Sequence, residues 1–131
     1  MHTAAQQKSV PARTVLLVDD NSFVRASLRD LFLSAGFKMC IEAENGFKAI
    51  ELAQAHIPDL IILDVVMPVM TGIDAAPQLK ALLPDTPIII FSLHAAFMKQ
   101  EQLTELGVAA AFMKGDPLDK LLEKANELIS K

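Results

Sequence analysis

The chain has no tryptophan and a single cysteine, Cys40, among 131 residues. A lone cysteine excludes an intrachain disulfide framework and suits a reducing compartment. Within the apolar stretch Met39-Cys40-Ile41 it reads as a small buried hydrophobe rather than a reactive thiol. There is no basic run, and the formal net charge is −4. A domain that grips DNA or RNA carries a clustered basic excess, so no direct nucleic-acid contact is expected. No apolar run approaches the roughly 20 residues that a membrane helix needs, so no membrane partner is expected either. Residues 1–13 lack the apolar core of a secretory signal and read as a polar, flexible leader, leaving 14–131 as one domain. A soluble, cytoplasmic protein is expected. His2, His56 and His94 show no spacing that would place two of them on one face as transition-metal ligands. No internal repeat, low-complexity tract or interior linker is visible.

What is present is core material: 52% of residues are hydrophobic, enough for one domain of this length. Short apolar runs occur at Val15–Val18, Leu60–Leu63, Ile88–Phe91 and Ala110–Met113, with a weaker one at Met39–Ala43. Continuous runs rich in branched residues read as strands buried on both faces, as in a parallel sheet. Helical patterns alternate with them. Val24, Leu28, Leu31 and Ala35 form one apolar face, with Gly36 placed to end it. Ala49, Ile50 and Ala53 give a second. Ile73, Ala76, Leu79 and Leu83 give a third, interrupted by Pro77, which requires a late start or a bend. Leu103 and Leu106 lie in a fourth, closed by Gly107. Leu118, Leu121, Leu122, Ala125, Leu128 and Ile129 form a fifth, opening near Pro117. Strand then helix, five times, predicts an α/β fold: a doubly wound five-stranded parallel sheet of flavodoxin-like order 2-1-3-4-5, with five helices.

Asp19, Asp20, Asp64, Ser92 and Lys114 each follow one of the apolar runs. In a parallel sheet those positions share one edge, outside the carboxyl ends of the strands, where ligand sites form. Three carboxylates gathered there oppose one another's ionisation. A hard divalent cation removes that repulsion, and Mg²⁺ prefers oxygen ligands. One carboxylate is then free to act as a nucleophile toward phosphorus, giving an acyl phosphate. The metal, the Lys114 ammonium and the Ser92 hydroxyl would compensate the phosphoryl oxygens, and phosphoryl transfer is mostly positioning and charge neutralisation.

With Asp19-Asp20, the segment Leu63-Asp64-Val65-Val66-Met67-Pro68-Val69-Met70-Thr71-Gly72, Ser92 and Lys114 in place, the chain resembles the CheY-like receiver domains of two-component response regulators. The likeness runs from about Thr14 to Ile129. It implies that Asp64 is the phosphoacceptor, that Asp20 binds Mg²⁺ directly and Asp19 through water, and that the Val66 backbone carbonyl is a further metal ligand. Ser92 and Lys114 would follow the phosphoryl group. Gly72 would allow backbone angles that other residues avoid. The implied phosphodonor is a sensor histidine kinase or histidine phosphotransfer protein, and the recipient of the signal an output partner or domain. A homodimer through the face of the fourth helix, fifth strand and fifth helix is the assembly the resemblance suggests. Catalysis would extend only to the domain's own phosphorylation and slow dephosphorylation.

Two positions depart from the family pattern. Ala111, three residues before the lysine, stands where an aromatic residue is common, and Phe112 beside it should face the other way. Lys114 is followed by Gly115-Asp116-Pro117 rather than directly by proline, which is expected to loosen the lysine's loop. Val66 and His94, each two residues past a site residue, are expected to hinder an attacking water. Phe97 and Met98 are candidates for ordinary packing or for a partner patch. Two other classes fit the sequence less well. An aspartyl-nucleophile phosphatase of the haloacid-dehalogenase type places an Asp-x-Asp motif after its first strand, whereas here that strand ends Asp19-Asp20-Asn21. A receiver-like adaptor that is never phosphorylated would not need the complete acidic set.

Overall fold

The computed structural model describes residues 12–130. Of the expected leader, residues 1–11 lie outside the described residues; the Arg13 carbonyl already accepts a hydrogen bond from the Lys38 N–H at 2.9 Å. The elements alternate throughout: β1 (Thr14–Val18), α1 (Ser22–Ser34), β2 (Met39–Ala43), α2 (Gly46–His56), β3 (Leu60–Leu63), α3 (Gly72–Leu82), β4 (Ile88–Ser92), α4 (Gln100–Leu106), β5 (Ala110–Met113) and α5 (Leu118–Ile129). A single 3-10 turn at Ala95–Phe97 precedes α4. The strands are all parallel, in the expected order β2-β1-β3-β4-β5.

The apolar runs form strands because both sides of each are covered. Leu16, Val18, Ile61, Leu63, Ile88 and Ile90 face α2, α3 and α4, where Ala49, Ala53, Ala76, Leu79 and Leu103 meet them. Val15, Leu17, Leu60, Ile62, Ile89 and Phe91 face α1 and α5, against Leu28, Phe32, Leu121 and Ala125. Each fully buried Leu, Ile or Phe contributes roughly 1.5–3 kcal/mol of apolar transfer. β1, β3 and β4 are buried almost throughout, whereas the edge strands β2 and β5 are largely half-buried. Two-sided burial is therefore a property of the three central strands.

Several local expectations need correction. Ile73 is exposed, and the inward face of α3 is Ala75, Ala76 and Leu79. α3 runs unbroken from Gly72 through Pro77, so of the two expected accommodations the late start is not the one used. Gly72 has no positive φ; a Cβ there would overlap the Asp64 carbonyl oxygen, so close backbone approach is what demands glycine. Cys40 is half-buried against the α1/α5 core, and burial pushes its thiol further from ionisation. Among the described residues no helix is long and apolar enough to cross a membrane.

Candidate functional site

The site grows from four strand ends and the loops that fix them. β1 delivers Asp19 and Asp20. The helix that follows is capped by Asn21, whose Oδ1 accepts from the Phe23 N–H at 2.8 Å and the Val24 N–H at 3.1 Å. That frees both aspartates from capping duty. Asp19 is 2% exposed, and its Oδ1 accepts from the Asn21 N–H at 2.9 Å. Its carbonyl is held by Arg25 Nη1 at 2.6 Å, and the Arg25 Nε donates to Glu42 Oε1 at 2.8 Å. Asp20 is exposed to the cleft, and its carboxylate has no hydrogen bond or ion pair among the described residues.

β3 delivers Asp64, 4% exposed, with Oδ1 accepting from the Val66 N–H at 3.3 Å. β4 ends at Ser92, buried, whose Oγ accepts from the His94 N–H at 3.2 Å. Lys114, just past β5, reaches Asp19 Oδ2 at 2.7 Å and Asp64 Oδ2 at 3.2 Å. Asp20, Asn21, Asp64, Val66, Ser92, Leu93, His94 and Lys114 line one open cleft of about 250 Å³. Asp19, Asp20, Asp64, Ser92 and Lys114 thus gather at one place, Asp19 through its contact with Lys114. Asn21, Arg25 and Leu93 were missed. Asn21 was signalled by its position before the apolar periodicity of α1, whereas Arg25 and Leu93 carried no local signal.

Carboxylate oxygens of Asp19, Asp20 and Asp64 lie within 4.8 Å of one another. Burial pushes the Asp19 carboxyl above its usual range; the Lys114 hydrogen bond and Asn21 N–H pull it back only in part, and the Asp64 charge adds to the rise. Desolvation draws Lys114 down, but the hydrogen bond and charge of Asp19, then those of Asp64, raise it overall. Three carboxylates meet one ammonium here, so the site holds more acids than cations. Lys114 does not balance the charge alone. The donor set, all oxygen with one carboxylate unpaired, fits a hard divalent cation.

The loop after Asp64 is strained. Val69 has φ +71°, and the Met70 N–H donates to the Pro68 carbonyl at 2.8 Å, a γ-turn centred on an exposed β-branched residue. The two departures from pattern also have a place. Ala111 packs with the α2/α3/α4 core and Phe112 with the α1/α5 core, so the ring of Phe112 faces away from the space beside Ala111. Gly115 has φ +106°, and its turn is closed rather than loose, as shown below.

A family model described as the response regulator receiver domain matches residues 15–126. The chemotaxis protein CheY of Bacillus subtilis is 32% identical over 119 residues, covering 91% of this chain and 99% of the relative. Among solved structures, the Vibrio cholerae chemotaxis protein CheY4 superposes with a TM-score of 0.81 at 27% identity, over 90% of this chain and 99% of that one. A CheX–CheY complex of Borrelia burgdorferi, solved with BeF3 and Mg, gives a TM-score of 0.82 at 26% identity, covering 91% and 90% of the two chains.

Proposed function

The chain belongs to the response regulator receiver domain family, and from that premise we propose that it is a signalling switch that accepts a phosphoryl group on Asp64. The observation that carries this reading is the Asp64 carboxylate itself. It is buried at the floor of an open cleft, within 4.8 Å of two further carboxylates and bonded to Lys114. Asp19, Asp20, Asp64 and the Val66 carbonyl would hold Mg²⁺, which when bound neutralises the crowded acids and the incoming phosphoryl oxygens. Asp64 Oδ2 attacks phosphorus as the bond to the donor's histidine nitrogen breaks, so one P–O bond replaces one P–N bond. The Lys114 ammonium leaves its carboxylates to meet the new phosphoryl oxygens, and the Ser92 hydroxyl, whose Oγ accepts from the His94 N–H, donates its own proton to one of them.

The donor proposed is a sensor histidine kinase or phosphotransfer protein in a cytoplasmic setting. The recipient of the signal is a partner or output domain that prefers one of two states, and the α4–β5–α5 face is offered for homodimer formation. The test is incubation with Mg²⁺ and a small acyl phosphate, read by intact mass. One phosphoryl adduct is expected on the wild type and none on Asp64→Asn or without metal. No adduct, together with no beryllofluoride binding, would leave a receiver-like adaptor instead.

Val66 and His94 are both exposed on the cleft wall, where their bulk stands in the way of a water attacking the acyl phosphate. Replacing both with smaller polar residues is expected to shorten the adduct's half-life several-fold, about 1 kcal/mol off the hydrolysis barrier. Unchanged decay would remove that role.

A further inference from the structure

The turn that carries Lys114 is held by a side chain outside the cleft. β5 follows β4 in register up to Ser92 and Met113, the last pair of the ladder. The Lys114 N–H donates to the Ser92 carbonyl at 3.2 Å. The Met113 N–H turns instead to Asp116 Oδ2 at 2.9 Å, and the Asp116 N–H returns to the Met113 carbonyl at 3.0 Å. Two bonds between residues three apart close a tight turn with Lys114 and Gly115 in its middle. Gly115 takes φ +106°, with nothing within 4 Å of where a Cβ would stand, so the backbone angle rather than crowding selects glycine. From that turn the Lys114 side chain reaches Asp19 and Asp64, just past the ends of β1 and β3.

We propose that Asp116 is a positioning residue for Lys114: its carboxylate closes the 113–116 turn and so aims the ammonium at Asp19 and Asp64. Asp116 is exposed and is not part of the cleft wall, so it acts through the lysine's backbone. It also answers the expected looseness of this loop. Where the lysine is not followed directly by proline, a side chain-to-main chain bond supplies the constraint. The positioning claim rests on this geometry; only its consequence for phosphorylation rests on the phosphoacceptor reading.

The experiment is lysine labelling with limiting acetic anhydride, resolved residue by residue by peptide mass spectrometry, on the wild type, Asp116→Ala, Asp116→Asn and Gly115→Ala. Lys114 should be protected in the wild type relative to the exposed Lys99 and Lys120. Asp116→Ala should raise its labelling several-fold and leave Lys99 and Lys120 unchanged, which also certifies the fold. Asp116→Asn, whose amide oxygen can still accept from the Met113 N–H, should retain protection. Gly115→Ala, which strains the same turn from the backbone, should repeat the alanine result and stands in if Asp116→Ala does not fold. Unchanged Lys114 labelling in folded Asp116→Ala overturns the proposal, and so does loss of protection in Asp116→Asn. In parallel, phosphorylation by a small acyl phosphate should slow several-fold in Asp116→Ala and show no further slowing in a Lys114→Ala background; an additive loss there overturns it. If no variant, wild type included, takes a phosphoryl group while the labelling pattern holds, the phosphoacceptor reading fails and the positioning stands.

Discussion

On the β1 side of the cleft the aspartate loop is tied from several directions: Asn21 caps α1, its N–H holds Asp19, and Arg25 clasps the Asp19 carbonyl while paired to Glu42. On the β4 side, Ser92 leads into exposed Leu93 and His94, a 3-10 turn ending in a Phe97 that is 81% exposed, and a seven-residue helix with Leu103 as its buried side chain. One flank is braced in advance of any ligand, and the other is thinly held. Local opening is cheapest where few apolar contacts and short helices meet. A site that must bind charge needs the first kind of flank, and a site whose occupancy must alter a surface needs the second. Ala111 fits this division: it brings a methyl group rather than a ring to the core on that side.

The largest test of the comparison is a pair of truncations. Phe32, fully buried and edge-on to Phe37 at 5.0 Å between ring centres, anchors the braced flank. Phe32→Ala is expected to lower global stability by about 3–5 kcal/mol in denaturant unfolding. Leu103→Ala should lower it by about 2–3 kcal/mol, at the lower end for a large-to-small change. It should also speed amide exchange across 95–106 well ahead of the strands. Equal exchange on both flanks in the wild type would break the comparison.

How far the sequence carries differs between those flanks as well. The central strands were legible because two-sided burial writes itself as unbroken apolar runs, and the site residues because each stands just past such a run. Cross-element geometry was not legible. Ile73 kept the helical period of α3, but the close seat of Gly72 against Asp64 turns the helix so that Ala75 and Ala76 point inward. Phe32 lies on the same helical face as Leu28, yet the pattern read there ran through Leu31 and Ala35, which are half-buried and exposed. The Arg25–Glu42–Arg29 cluster joins a helix to a strand more than ten residues away, and Asp116 matters only through a turn whose angles no periodicity reports.

Strain in the Val69 turn gives the next effect. Because the side chain is 75% exposed and its φ is in the left-handed region, Val69→Gly should stabilise the protein by about 0.5–1 kcal/mol, the left-handed penalty less the added freedom of the unfolded chain. The denaturant midpoint should rise with an unchanged slope. A fall would mean that the Val69 side chain is itself bound by something in the fold. The turn lies between the two flanks, so the change should leave the exchange difference between them intact.

The smallest effect concerns the brace. Burial raises the Glu42 carboxyl, but the hydrogen bonds and charges of Arg25 and Arg29 outweigh it, and the group is held below its ordinary value of 4.5. A carboxyl depressed by folding contributes stability that is present above the unfolded value and is lost as pH falls through the folded one. Glu42→Gln should therefore be less stable than the wild type at neutral pH by under about 1 kcal/mol, since the pair is partly open to water. The gap should narrow as pH drops below 4.5 and close once Glu42 is protonated in the folded protein. A gap that stays constant with pH would mean that Glu42 braces the β1 flank by packing rather than by charge. If charge is the link, Mg²⁺ affinity at neutral pH should weaken slightly in the same variant, because Arg25 holds the Asp19 carbonyl with one nitrogen and Glu42 with another. Exchange across 95–106 should not change, since β1 and β3 lie between β2, which carries Glu42, and the β4 side.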